Sequence, residues 1–180
     1  MDAATHDLYL AVDGDDEAFS RLVLATATDV RRFCRWQVGA THEVDDLVQE
    51  TFLRAYRGLP TYRNEAPARV WLLSIARRVC LDSFEKTARH ERMVRRIGRH
   101  PSLVESTDEA TNVSLLVAQL PELYREAFIL VRLLGYRYDE AAQILGCPRG
   151  TIQSRVARAR ETLAGLVTDG RTAEIRSNRA

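Results

Sequence analysis

Four arginines, Arg149, Arg155, Arg158 and Arg160, fall in a stretch that holds no carboxylate. So dense a local positive field needs an anionic partner, although the whole chain carries a formal charge of only +1. A second group with chemical potential is Asp45, Asp46 and Glu50, spaced to share one side of a helix. Such carboxylates dock on a basic surface, remain solvated, or hold a cation. A third group is Trp71 with Arg77 and Arg78. An indole beside guanidinium groups can stack on nucleobases, or it can fold back onto neighbouring helices.

The arginines sit in YDEAAQILGCPRGTIQSRVARARETLAGL, which reads as helix, tight turn, helix. Gly146 suits the left-handed residue that ends a helix, and Pro148 suits the start of the next. These are the parts of a helix-turn-helix. At 100° per residue, Ile152, Val156, Ala159, Leu163 and Leu166 form one apolar stripe on the second helix. Gly150, Ser154, Ala157, Arg158 and Glu161 lie opposite, with Gln153 on the edge. That face is small enough to enter a DNA groove, and it offers an amide and a guanidinium for base edges. Arg155 and Arg160 flank the stripe at phosphate-reaching positions. The plainer alternative is a solvated basic helix.

The carboxylates lie on HEVDDLVQETFLRAYRGL, His42 to Leu59. Val44, Leu47, Val48, Thr51, Phe52 and Ala55 cover one side. Asp46, Gln49 and Glu50 ring Leu53 on the other. An apolar knob among acids fits a basic protein surface; a solvated acidic face fits the pattern equally. No His or Cys stands at ligand spacing on this face, and no metal or other cofactor is expected. RVWLLSIARRVCLDSFEK, Arg69 to Lys86, places Leu72, Leu73, Ala76, Val79, Cys80 and Phe84 inward. Trp71, Ser74 and Arg78 fall opposite, with Arg77 beside them.

The elements that must position these groups are all helical, and no alternating strand pattern occurs. The expected fold class is all-α: two small helical domains joined by a flexible linker. Helices are expected at Asp15–Thr26, Thr28–Val38, His42–Arg57 and Ala68–Lys86, closing a first domain over residues 1–86. LPTYRNEAPA, with two prolines and Asn64, is a loop before the fourth helix. Residues 87–112, mixed in charge and broken by Gly98 and Pro101, are expected to be a linker, its first part a frayed helix end and the rest flexible. Helices at Val113–Ala118, Glu122–Leu134, Tyr138–Leu145 and Arg149–Leu166 then build a second domain, 113–167. Residues 168–180 are expected to be a disordered tail.

Charge divides unevenly: Met1 to Phe84 holds ten Arg against thirteen acids, Val113 to Leu166 seven Arg against five. No run of eighteen apolar residues occurs, so no membrane insertion is expected. Cys34, Cys80 and Cys147 are far apart and odd in number. That argues against a disulfide framework and, with no signal-peptide pattern, fits a cytoplasmic protein.

Taken in order, VDDLVQETFLRAYRGL, VWLLSIARRVCLDSFEK and LPELYREAFILVRLLGYRYDEAAQILGCPRGTIQSRVARARETL resemble a bacterial sigma-70 family factor of the extracytoplasmic-function (ECF) group. The resemblance spans roughly Glu17 to Leu166. It implies a two-domain, non-enzymatic factor that binds core RNA polymerase through its beta and beta-prime subunits. It further implies recognition of minus-35 and minus-10 elements in promoter DNA. By resemblance, Asp46, Gln49, Glu50 and Leu53 dock on the clamp helices of beta-prime. Tyr62, Arg63, Asn64 and Glu65 shape a pocket for a flipped minus-10 base, with Trp71, Ser74, Arg77 and Arg78 at the upstream edge of the bubble. Gln153, Ser154, Ala157 and Arg158 face minus-35 bases, and Arg149, Thr151 and Arg155 the backbone. One departure is visible: many relatives carry Asn where this chain has Arg78. An anti-sigma factor often holds members of this group inactive. The runner-up reading is a stand-alone helix-turn-helix regulator. A small metal or hydrolytic enzyme using Asp45, Asp46 and Glu50 is a third, without a Gly-rich loop or an activated nucleophile to support it.

Overall fold

A computed structural model describes residues 2–39, 43–63, 66–95 and 109–177. Most of these residues are helical, with no strand among them. The chain divides into two compact units, Met1–Ser106 and Thr107–Ala180.

The first unit opens on a helix that the sequence reading passed over, α1, Ala3–Val12. Asp2 caps it by accepting from the Thr5 N–H at 2.8 Å, and Ala4, Leu8 and Ala11 are buried beneath. The signal was present but short: one cap and an apolar stripe at i, i+4 and i+7. Gly14, at φ 99°, makes the turn that follows.

Helix α2, Asp16–Val38, is continuous where two helices were expected. Asp15 caps it through the Ala18 N–H at 2.9 Å. Thr26 marks the expected break, yet its hydroxyl donates back to the Leu22 carbonyl at 2.7 Å. A buried Thr satisfied this way stays inside a helix. Helix α3, Glu43–Gly58, buries Val44, Leu47, Val48, Thr51 and Ala55. A 3-10 turn, Leu59–Thr61, leads towards helix α4, Ala68–Arg95. Leu8, Leu22, Val30, Phe33, Leu72 and Leu73 make the centre of this unit. Phe84, expected inside, is half-buried.

Two cysteines distant in sequence meet here. The Sγ atoms of Cys34 on α2 and Cys80 on α4 lie 3.9 Å apart, both buried and not joined as a disulfide. The thiol of Cys80 donates to Cys34 and holds the Cys34 pKa below the usual thiol value. Separation along the chain was a poor guide to separation in space.

Helix α4 carries regular backbone nine residues beyond Lys86, where a frayed helix end was expected. KTARHERMVR contains no Gly or Pro to stop it. Gly98 and Pro101 lie outside the described residues.

The second unit contains α5, Glu109–Ala118, and α6, Glu122–Phe128. A π-type turn over Ile129–Leu133 ends α6, with the Leu134 N–H reaching the Ile129 carbonyl at 2.9 Å. The pattern had suggested one uninterrupted helix to Leu134. Then come α7, Tyr138–Leu145, and α8, Arg149–Ser177. Val117, Leu120, Ala127, Ile129, Leu130, Ile144, Ile152, Val156 and Ala159 are buried together. Leu163 and Leu166, placed on the buried stripe from the sequence, are half-buried. The backbone of α8 stays helical to Ser177, where a disordered tail was expected. That expectation rested on the lack of apolar groups; no Pro interrupts the stretch, and Gly165 and Gly170 alone do not end the helix.

Candidate functional sites

The turn between α7 and α8 is a Schellman motif. The Cys147 N–H reaches the Ala142 carbonyl at 3.1 Å, and the Gly146 N–H reaches Gln143 at 3.4 Å. Gly146 is left-handed, φ 63° and ψ 39°. Reversal at this point lets both helices bury one face: Ala141, Ile144 and Leu145 from α7, Ile152, Val156 and Ala159 from α8. The remaining face of α8 is therefore fixed outward. Gln153, Ser154, Ala157 and Arg158 are all exposed on it. The Arg158 guanidinium lies 3.0 Å from Glu161, one turn on. Arg149 is exposed and 3.5 Å from Asp139 at the start of α7. Thr151 and Arg155 are half-buried, with an Arg155 nitrogen 3.7 Å from the Cys147 sulfur. The seven residues singled out on α8 thus separate into an exposed small strip with one long cation and a flanking set nearer the turn. Gly150 keeps the near end of the strip low, and an added Cβ there would meet nothing within 4 Å.

On α3, Asp46 and Gln49 are exposed and Leu53 is 43% exposed. Glu50 belongs to a different environment. Its carboxylate accepts from Arg54 at 2.7 Å, and Arg54 also reaches Asp82 of α4 at 2.5 Å. These two acids, Asp82 first, raise the Arg54 pKa. Asp45 is tied to Arg31 of α2. The acidic run is thus partly consumed in joining α3 to its neighbours, and Asp46, Gln49 and Leu53 form its outward part.

The 3-10 turn delivers Tyr62 into an aromatic cluster. Its ring centroid lies 5.2 Å from Trp71 and 6.1 Å from Tyr9 of α1. Its hydroxyl donates to the Ala66 carbonyl at 2.5 Å. Burial, chiefly, pushes the Tyr62 pKa up to about 12. Trp71 is half-buried, with Tyr62 on one side and Gly58 near its ring edge. The indole thus packs on Tyr62 while part of it stays exposed. Ser74 donates to the Trp71 carbonyl at 2.6 Å and Arg77 is half-buried, whereas Arg63 and Arg78 are exposed. Asn64 and Glu65 lie outside the described residues. Tyr9 was not singled out from the sequence; only the missed helix would have pointed to it.

The described residues thus form two helical units, each with a tight turn and an outward helix face, and comparison with known proteins gives the family. The model described as Sigma-70 region 2 matches residues 22–90, and that described as Sigma-70, region 4 matches residues 111–163. The chain is 39% identical over 160 residues to the ECF RNA polymerase sigma factor SigC of Mycobacterium tuberculosis (strain CDC 1551 / Oshkosh), covering 85% of each. It is 31% identical over 170 residues to the ECF RNA polymerase sigma-E factor of Salmonella typhimurium (strain LT2), covering 86% of this chain and 88% of that one. Among solved structures, CnrH in complex with the cytosolic domain of CnrY matches with a TM-score of 0.75 at 26% identity, over 93% of this chain and 99% of that one. RpoE of Bartonella quintana, in complex with the anti-sigma factor NepR, matches with a TM-score of 0.71 at 28% identity, over 83% and 96%. The chain belongs to the sigma-70 family, in its ECF group.

Proposed function

We propose that this chain is an alternative RNA polymerase sigma factor that binds core enzyme, recognises minus-35 and minus-10 promoter elements and starts transcription. It is a transcription initiation factor. Family membership over both matched regions carries that reading. The residue roles below rest on the exposed faces.

Gln153, Ser154, Ala157 and Arg158 meet base edges in the minus-35 major groove, because the strip is low enough for close approach and ends in a reaching guanidinium. Arg149, Thr151 and Arg155 meet the sugar-phosphate backbone beside it. Asp46, Gln49 and Leu53 dock on core polymerase, with Glu50 acting largely through Arg54. Tyr62, Arg63, Asn64 and Glu65 form the minus-10 loop, and Arg78 gives an exposed cation further along α4. Trp71, Ser74 and Arg77 support that loop from behind.

An anti-sigma protein is a natural further partner, since the structural relatives CnrH and RpoE were solved with CnrY and the anti-sigma factor NepR. No helix among the described residues is long and apolar enough to cross a membrane. Work on polymerase places the chain in the cytoplasm.

Gel filtration of the purified chain with core polymerase tests the assignment against a stand-alone regulator. One copy co-eluting with core is expected. A dimer that ignores core polymerase yet binds DNA tightly would refute it.

A further inference from the structure

The segment matched by the Sigma-70 region 2 model begins at residue 22, so α1 lies outside it. Yet α1 touches the chain on both sides of the loop between Thr61 and Ala68. At the far side, Ala68 opens α4, and its N–H is one of the donors that a helix start leaves without an intrahelical partner. Pro67 before it offers no side-chain acceptor. The acceptor comes from another helix: Ala68 N–H donates to Thr5 Oγ1 at 3.1 Å. Thr5 is buried, and its hydroxyl in turn donates to Asp2 Oδ2 at 3.1 Å. The hydroxyl proton thus goes to Asp2, leaving the oxygen lone pairs towards Ala68. At the near side, Tyr9 lies one turn further along α1 and packs on the ring of Tyr62. Tyr62 then closes the loop on itself through its bond to the Ala66 carbonyl. Helix α1 is itself anchored by Leu8, which is wholly buried.

From this arrangement we infer that α1 is a positioning element for the minus-10 loop, with Thr5 and Tyr9 as positioning residues. The inference rests on the proposed role of that loop in reading a flipped base. Extruding a base is costly, so the receiving loop works best when already ordered. Two unconnected anchors on one rigid helix hold both ends of a short loop at a fixed separation. Neither residue needs to touch DNA.

The test uses the full chain with core polymerase and a promoter library randomised at the minus-10 bases, read alongside core affinity and minus-35 selectivity. Thr5→Val removes the cap at constant shape, Tyr9→Leu removes the ring, and Tyr9→Phe keeps it. Tyr62→Ala tests the loop reading independently. Thr5→Val and Tyr9→Leu are expected to flatten minus-10 selection and slow promoter opening on the order of ten-fold. Core affinity and minus-35 selectivity should hold, and Tyr9→Phe should restore selection. In the free protein, Thr5→Val should speed hydrogen exchange at the Ala68 amide. If Tyr62→Ala flattens selection while Thr5→Val and Tyr9→Leu match the parent, the loop reading stands and the role of α1 falls. If Tyr62→Ala changes nothing at minus-10, the loop reading fails and takes this inference with it. A uniform loss of core binding and of selection at both elements would show α1 to be general scaffolding, which also overturns the inference.

Discussion

Arg158 is the long side chain at the end of a strip of short ones, and its tie to Glu161 is an exposed pair. Exposed pairs contribute less than about 1 kcal/mol, so a base can replace Glu161 as its partner. Arg158→Ala is expected to cost about 1–3 kcal/mol at one minus-35 base pair. Competition binding of the polymerase-bound factor against single-base promoter variants checks this; an equal loss on every sequence would mean a phosphate contact instead. Tyr62 gives a pH expectation. Its pKa is about 12 in the folded chain, against about 10 for an unperturbed tyrosine. Between those values the unfolded chain releases the proton and the folded chain keeps it. Stability therefore falls as pH rises through that window. Urea titrations on either side of pH 10 should show a shallower decline for Tyr62→Phe than for the parent. The outward face of α8 was legible because helical period alone separates Ile152 and Val156 from Gln153 and Arg158. Tyr9 against Tyr62, and Cys34 against Cys80, were not, because each pairing joins helices whose crossing is set by the whole core.

At the scale of elements, the turn at Gly146 and the outward face of α3 carry the sharpest expectations. Gly146 is left-handed with open space around it, so strain and not collision opposes a side chain there. Gly146→Ala should destabilise the second unit by about 1–2 kcal/mol. Denaturant midpoints would show it, and an unchanged midpoint would mean that the turn relaxes without strain. On α3, Glu50→Arg would set a like charge beside Arg54, so a loss of polymerase binding from it would be ambiguous. Asp46→Arg with Leu53→Ala avoids that, because both side chains are exposed. The pair should abolish core binding, with the helical circular dichroism unchanged; full retention of affinity would remove the docking face. Most element boundaries followed from period and punctuation, as Gly39 and Gly146 show. The reading failed in α2, where one helix was divided in two near Thr26. It also failed in α1, where one cap and ten residues gave too little pattern to separate from a loop.

As a whole, the chain has two helical units of modest charge. By sequence, Met1 to Phe84 holds ten Arg against thirteen acids and Val113 to Leu166 seven against five, a small excess of cations at most for holding DNA in salt. Each reader is expected to bind weakly alone, and strongly only when polymerase sets the spacing between promoter elements, which turns the second contact into an intramolecular one. The division into two units was legible from Gly98, Pro101 and the polar stretch around them. Run-off transcription by core polymerase with the purified chain, on a promoter library randomised at both elements, bears on this most directly. The expected result is transcripts from defined start sites only when the chain is present, with enrichment at both minus-35 and minus-10 positions. Transcripts that begin at the same sites with core alone, or no enrichment at either element, would contradict it.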